Sequence, residues 1–275
     1  MVVDLKGIVD ELSWKKSRDR REIVKAHLER LGLPYTQHKF RVGMHSNIFV
    51  DLVSKNDKML VLASHYDVVR GSPGANDNAS AVAALLGALG ELKGKELQMP
   101  VRAFFFDCEE RNLRGSREFI NAYGIQQVGA VCNMELVGAG TVPVMWGAYG
   151  VDQQYGDALF KTTIDLGQRP VLLGLVPTFT GDHKSFQAAG INNSMCLSMI
   201  DEKDTDLLRE VMELPSRIYS SEKEKHTYVE HLSGRMRASA TFRDYHKKTD
   251  TPDKIRPESL AWTRDFLVRL AENYK

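Results

Sequence analysis

Three side chains that commonly bind metal ions lie within residues 63–81, ASHYDVVRGSPGANDNASA. This stretch comes directly after the apolar run MLVL, where a buried strand would run into a loop, and the three side chains are His65, Asp67 and Asp77. A buried charge without a partner is strongly unfavourable, so these side chains need something to bind. Taken alone, a His-x-Asp is more often a surface or capping pair, and Asp77 followed by Asn78 is also a common start of a helix.

Similar side chains follow other apolar runs of the chain. Glu109 and Glu110 come after VRAFFF, Glu135 lies near the end of AVCNMEL, and His246 precedes the last helical segment. In an open α/β sheet, ligands bind at the carboxyl ends of the strands. We therefore expect these groups to meet at one edge of a sheet.

So many carboxylates at one edge would repel one another, and proteins usually neutralise such a cluster with divalent cations. Imidazole and carboxylate ligands without a thiolate favour zinc, with manganese or cobalt as the less favoured ions. A carboxylate that bridges two ions would make a two-metal site, with the ions about 3.5–4 Å apart. The residue types by themselves do not decide whether the site holds one ion or two.

The apolar runs alternate with segments of helical spacing over most of the chain. Short continuous runs, typical of strands buried on both faces, lie at 59–64, 101–106, 130–136, 142–147 and 193–200, after two strand-like pieces at about 35–42 and 47–53. Helical spacing covers residues 4–31, 78–93, 114–123, 152–167, 182–189 and about 257–273. This alternation predicts one α/β domain over 1–275, with a mostly parallel, mixed central β-sheet flanked by helices on both faces.

Residues 201–245 are the exception, because they are highly charged and poor in strand signal. One interpretation is a solvated helical excursion. The other is a lid over the site or an oligomer contact, since long excursions from compact domains are often functional.

The composition argues against some classes of function. The balance of 37 basic to 36 acidic residues argues against a large nucleic-acid or membrane footprint, and no stretch approaches the roughly 20 apolar residues of a transmembrane helix. The N-terminus is charged throughout, unlike a secretion signal. Cys108, Cys132 and Cys196 each lie in an apolar run and are expected to be reduced, which fits a cytoplasmic protein.

Six segments of the chain resemble the signature blocks of one metallopeptidase family. They are HYD (65–67), GANDNASAVA (74–83), FFDCEERNLRGS (105–116), NMELVG (133–138), GDHKSF (181–186) and YHKKTDTPD (245–253). The family is family twenty-eight, which contains the secreted bacterial dizinc leucine aminopeptidases and the animal glutaminyl cyclases. The resemblance implies the zinc-aminopeptidase (phosphorylase/hydrolase-like) fold, two zinc ions per chain, and a cis peptide bond after the bridging aspartate.

The resemblance also implies a set of metal ligands. His65 would bind the first metal, and Glu135 would complete its shell at a position where the family more commonly has Asp. Asp77 would bridge the two metals. Glu110 and His246 would bind the second.

Three further residues have implied or expected roles in catalysis. Asp67 would hold the ring of His65 in orientation, since a carboxylate behind a ligating imidazole fixes its tautomer. Glu109 would be the general acid/base, taking a proton from water and returning it to the leaving amine. Tyr245, next to the last histidine, is placed to donate its phenol to the developing oxyanion, or else to pack as an ordinary aromatic residue.

Other chemically capable residues are weaker candidates. Asp182 and His183 match the family's acidic-His block and would shape the site without binding metal, although Asp182 also fits a helix cap. No block contains the other histidines, which we expect to be structural or exposed: His27, His38, His45, His226 and His231. Cys108 lies beside Glu109, but no histidine base is marked for it, so we expect a core residue.

Several functions remain open from the sequence. The first is a dizinc aminopeptidase that hydrolyses the N-terminal residue of a peptide substrate. The second is a glutaminyl cyclase, a transferase with a single zinc. Asn78 after the bridging aspartate, together with Glu135 and the Glu-Glu pair, favours the peptidase, and the cyclase's tryptophan before its last histidine is replaced by Tyr245. A hydrolase of small acylated amines lies between these, and a metal-binding relic without catalysis is disfavoured by the complete ligand set.

Overall fold

The computed structural model describes residues 3–275 except 42, 54–55, 149, 170, 174–180, 215–216 and 218. Its strands are β1 (Thr36–Phe40), β2 (His45–Leu52), β3 (Met59–His65), β4 (Val101–Phe106), β5 (Val128–Met134), β6 (Val142–Trp146), β7 (Val171–Leu173) and β8 (Ser194–Ile200). The helices of this part of the chain are α1 (Leu5–Leu12), α2 (Ser17–Arg30), α3 (Ser80–Leu92), α4 (Arg114–Tyr123), α5 (Gln153–Asp165), α6 (His183–Ala188), α7 (Thr205–Glu213), α8 (Glu222–Ala238) and α9 (Pro257–Asn273).

The strands form one mixed sheet in the order β1-β2-β4-β3-β5-β8-β6-β7. The four central strands β4, β3, β5 and β8 run parallel, so their carboxyl ends lie at one edge. β1 and β2 are antiparallel additions on one side, and β6 runs antiparallel to β8 on the other. The predicted mixed sheet with a mostly parallel centre is confirmed.

Helices cover both faces of this sheet because its central strands are apolar on both faces. In β3, Leu60 and Leu62 pack with α1, α3, α5 and α9 on one face. Val61 and Ala63 point to the other face, where they pack with Phe119 of α4 and Phe186 of α6. The period of two in a strand accounts for this alternation.

The predicted N-terminal helical segment, residues 4–31, is divided into α1 and α2. The Asp4 side chain accepts a hydrogen bond from the Gly7 N–H and caps α1. Between the two helices, Trp14 takes a left-handed conformation (φ 65°) and its N–H donates to the Pro73 carbonyl. The chain turns there toward the loop that precedes α3, which the local spacing alone did not predict.

The small residues of α3 allow close packing, as its sequence predicts. A Cβ added at Gly87 would lie 2.5 Å from Leu5 Cδ2, so α1 approaches the backbone of α3 at this point. The other predicted helices and strands agree with the structure to within about two residues. The short edge strand β7 was not predicted, and residue 42, at the end of the first predicted strand, lies outside the described residues.

The charged excursion 201–245 contains α7 and α8, which share a hydrophobic cluster with β6 and β8. Leu208 and Leu232 are buried there together with Trp146 of β6. The Asp204 carboxylate accepts hydrogen bonds from the N–H and hydroxyl of Thr241, at 2.7 and 2.6 Å, and so joins the two ends of the excursion. Its helices are therefore packed against β6 and β8, while the role of the segment as a lid or oligomer contact stays a prediction.

No helix in the described part of the chain is long and apolar enough to span a membrane.

Candidate metal centre

The carboxyl edge of the parallel strands brings the predicted metal ligands together. His65 is the last residue of β3, and Glu135 directly follows β5. Glu110 lies in a helical turn, Glu109–Arg111, after β4. Asp77 lies in an irregular turn before α3, and His246 in the loop before α9. Residues that are far apart in sequence therefore share one site because parallel strands end at the same edge.

The carboxylate of Asp77 is at the centre of the ligand set. Its Oδ1 lies 3.4 Å from His65 Nε2, and its Oδ2 lies 3.2 Å from His246 Nε2. Glu135 Oε2 is 3.1 Å from His65 Nε2 on one side, and Glu110 Oε2 is 2.9 Å from His246 Nε2 on the other. Each oxygen of Asp77 thus faces a different histidine and a different glutamate.

The orientation of His65 is fixed from behind, at its other ring nitrogen. His65 Nδ1 lies 3.3 Å from the Asp67 carboxylate and 3.1 Å from the Asp67 carbonyl oxygen. The same carboxylate accepts the backbone N–H groups of Glu109 (3.0 Å) and Glu110 (3.2 Å). Asp67 therefore connects the end of β3 to the turn after β4 and leaves His65 Nε2 facing Asp77.

Two side chains on opposite sides hold the loop that carries Asp77. The guanidinium of Arg20, in α2, donates to the carbonyls of Pro73 (2.7 Å) and Gly74 (2.9 Å). The carboxylate of Asp250 accepts the N–H groups of Asn76 (2.8 Å) and Asp77 (3.1 Å).

Gly74 has a left-handed conformation (φ 63°), and a Cβ there would lie 2.6 Å from Arg20 Nη2. Glycine is therefore required where the loop meets the guanidinium. The peptide bond between Asp77 and Asn78 is cis, as the resemblance implied.

Crowding raises the proton affinity of the glutamates. Burial, followed by the charge of Asp77, raises the pKa of Glu110 to about 7. Burial also raises the pKa of Glu135, and it raises the pKa of Glu109 well above its usual range, with the Glu135 carboxylate adding to the effect. Ionised glutamates in this position therefore need positive charge nearby.

The pKa values of the imidazoles are raised as well, which favours their charged forms. Burial lowers the pKa of His65, but the Glu135 and Glu109 carboxylates outweigh it and raise the pKa well above its usual range. For His246, burial is likewise outweighed, by hydrogen bonds to Asp77 and Glu110, and the pKa rises to about 10. Burial raises the pKa of Asp77, yet the two imidazoles hold it well below its usual range.

These residues fit divalent metal ions. Two groups, His65–Asp77–Glu135 and Asp77–Glu110–His246, each offer one imidazole and two carboxylates whose donor atoms lie within 4.8 Å of one another. The two groups share Asp77. Glu110 Oε1 is buried and makes no hydrogen bond to any described residue, as expected of a ligand oxygen. Oxygen and nitrogen donors in this number suit zinc or a similar ion.

Glu109 and Tyr245 lie at the same site outside these two groups, and Glu109 forms a further group of possible metal ligands with His65 and Glu110. The Glu109 side chain is buried, with Oε2 3.9 Å from His65 Nε2. The Tyr245 ring stacks on the His246 ring, with centroids 3.7 Å apart. Burial raises the pKa of Tyr245, so its phenol remains protonated at neutral pH. Both residues line a cavity of about 350 Å³ that opens at the site.

Asp182 and His183 are buried beside the centre. Burial raises the pKa of Asp182 to about 8 and lowers that of His183 to about 3. Neither carboxylate oxygen of Asp182 forms a hydrogen bond with a described residue, and Asp182 does not cap α6 through its side chain. The helix-cap interpretation of Asp182 is therefore wrong.

Sequence reasoning missed several neighbours of the site. No local pattern in the sequence marks Arg20 as a neighbour of the site. Asp250 lies inside the block YHKKTDTPD, and its position in that block could have identified it. His45 Nδ1 lies 3.1 Å from Asp107 Oδ2 and 3.2 Å from Cys108 Sγ, so the cysteine has an imidazole beside it. Cys108 is buried, and burial raises its pKa to about 12, so it remains a thiol.

Comparison with known proteins identifies the family of the chain. The model of peptidase family M28 matches residues 47–271. A vacuolar membrane protease of Yarrowia lipolytica (strain CLIB 122 / E 150) is 30% identical over 155 residues, which are 53% of this chain and 16% of that protein. The chain therefore covers only a small part of the length of such relatives.

Solved structures show the same fold. An aminopeptidase from Aneurinibacillus sp. strain AM-1 superposes with a TM-score of 0.63 at 19% identity, covering 83% of this chain and 48% of that chain. A glutaminyl cyclase from Bacteroides thetaiotaomicron superposes with a TM-score of 0.71 at 14% identity, covering 100% of this chain and 98% of that chain. Because the family model spans most of the sequence, the chain belongs to peptidase family M28, the metallopeptidase family that its sequence blocks resemble.

Proposed function

We propose that the protein is a zinc-dependent aminopeptidase that binds two ions per chain and hydrolyses the N-terminal residue of peptides. The observation that carries this proposal is the position of Asp77, whose two oxygens face two separate imidazole–glutamate pairs. A single-ion site would need only one such pair. The zinc aminopeptidase from Bacillus subtilis, which has the same fold at 20% identity, supports the choice of ion.

Bound zinc ions would acidify water and polarise the peptide carbonyl, so that hydrolysis becomes possible near neutral pH. The protein side chains supply the proton transfers. Glu109 is buried beside His65 and borders the cavity, so it is placed to take a proton from water and to give one to the leaving amine. Burial raises the pKa of Glu109 above its usual range, the direction that favours a carboxylate that must take up a proton and then donate it.

Two other side chains prepare the site. Asp67 holds His65 with Nε2 directed at Asp77, which fixes one end of the ligand set. Tyr245 keeps its proton and lines the cavity, so its phenol is available to stabilise negative charge that develops on the carbonyl oxygen.

Metal analysis combined with a substrate panel tests the proposal. Zinc-saturated protein should contain two ions per chain and should release amine from aminoacyl-nitroanilides. A panel of glutaminyl peptides, followed for loss of ammonia and ring closure, serves as the comparison. One ion per chain at every zinc concentration, together with cyclisation of glutaminyl peptides, would replace this proposal with a single-zinc cyclotransferase.

A further inference from the structure

The cavity at the metal centre has a cationic wall that the proposed chemistry does not use. Its volume is about 350 Å³, at the lower end of the range for small-ligand sites. Glu109, Glu110, Tyr245 and His246 line one part of it. Residues of α4 and α6 line another part, and two of these, Arg117 and Lys184, are basic.

The two basic residues line the cavity from two neighbouring helices, Arg117 from α4 and Lys184 from α6. Ser116, next to Arg117, donates its hydroxyl hydrogen to the hydroxyl of Ser185, next to Lys184, at 2.8 Å. This buried hydrogen bond joins α4 to α6 at the cavity. Arg117 and Lys184 thus line the cavity from two helices that are fixed relative to each other.

The acidic residues of the cavity are engaged elsewhere. Glu110 pairs with His246 at 2.9 Å, and Glu109 lies beside His65. Among the described residues, no carboxylate lies within ion-pairing distance of the Arg117 guanidinium. Lys184 is half-buried, so a charge bound next to it is less screened by water than one on an open surface.

We propose that Arg117 and Lys184 form a subsite for a carboxylate group of the substrate, which makes acidic or short, free-carboxylate peptides the preferred substrate class. This inference rests on the proposed peptide hydrolysis. The carboxylate has two sources in a peptide: an acidic side chain, or the C-terminus of a peptide short enough to fit the cavity. Both present the same anionic group to the two cations.

Matched ligand pairs distinguish the two sources. Glu-Ala-amide against Gln-Ala-amide, and Ala-Glu-amide against Ala-Gln-amide, test an acidic side chain at either position. Ala-Ala against Ala-Ala-amide tests the terminal carboxylate. Binding is measured by calorimetry on the zinc-loaded Glu109→Gln variant, which should bind peptides without consuming them. The carboxylate member of at least one pair should bind about five- to tenfold more tightly at low salt, which is about 1–1.4 kcal/mol shared between two partly exposed ion pairs.

Arg117→Gln and Lys184→Gln, each combined with Glu109→Gln, should each reduce this preference to about two- to threefold, and both together should reduce it to less than about twofold, because each substitution removes one partly exposed pair. Lys39→Gln and Arg169→Gln are the matched controls, since both residues are exposed and lie outside the cavity wall. With Glu109 intact, the Arg117 and Lys184 substitutions should raise KM for the carboxylate substrate about five- to tenfold and leave KM for its amide unchanged.

The result of the binding experiment does not depend on turnover. If the wild-type protein hydrolyses no peptide, the proposed function fails, and the calorimetric preference still decides whether the carboxylate subsite exists. Equal binding of all three pairs overturns the subsite. A preference that survives both the Arg117 and the Lys184 substitution overturns it as well.

Discussion

Replacement of Arg20 by methionine removes a buried cation that supports the metal-binding loop without touching the ligands. Its guanidinium donates to the carbonyls of Leu12 (3.0 Å), Pro73 (2.7 Å) and Gly74 (2.9 Å), and the side chain is fully buried. Burial lowers its pKa to about 10, so it stays charged at neutral pH. Methionine fills a similar volume but leaves these buried carbonyls without their donor.

The expected loss of stability follows from these contacts. Hydrogen bonds from a charged donor contribute about 1.5–3 kcal/mol each, which sets an upper limit of about 4.5–9 kcal/mol for three. Desolvation of the guanidinium offsets part of this gain, and we expect the free energy of unfolding to fall by about 3–5 kcal/mol. At about 2–4 °C per kcal/mol for a domain of this size, Tm should fall by roughly 6–20 °C.

Urea unfolding of the metal-free protein measures this change. Arg18→Met is the control, because Arg18 is exposed on the same helix and its loss should change stability by no more than about 0.5 kcal/mol. Since the supported loop leads to Asp77, Arg20→Met should also weaken zinc binding by about 10–100-fold, as loss of other supporting contacts does. Unfolding curves that coincide for the two variants would refute the argument that Arg20 holds the loop.

Three further predictions concern the same site and its surroundings. Glu109→Gln should lower kcat by about 10²–10⁴-fold with two zinc ions retained; loss of metal in this variant would make Glu109 a ligand instead. Asp250→Ala leaves the Asn76 and Asp77 N–H groups without an acceptor and should cost about 2–4 kcal/mol in urea unfolding, whereas Asp253→Ala, at an exposed position, should be neutral. An oligomer contact in residues 201–245 predicts a mass above the 31.0 kDa of one chain in sedimentation, and charge reversal on α8 should restore the monomer; a monomeric wild-type protein argues against this contact.

The sequence determined the elements and most of the ligand set. Continuous apolar runs predicted β3, β4, β5 and β8, because a strand that is buried on both faces has apolar side chains at consecutive positions. The order of strand and loop then located His65, Glu110 and Glu135 at one edge, since parallel strands end together. The residue types alone predicted a metal site, whereas the role of each ligand and of Glu109 was implied by the resemblance to the metallopeptidase family.

Only the tertiary structure decided how these groups face one another. That Asp77 lies between His65 and His246 depends on contacts between segments almost 170 positions apart in the sequence, and no local pattern encodes such a distance. The supporting role of Arg20 has the same origin, because its partners Pro73 and Gly74 are 53 and 54 positions away. Side-chain chemistry and short-range periodicity can be read along the chain. Relative orientation cannot, because it results from the packing of the whole core, which brings distant segments into contact at once.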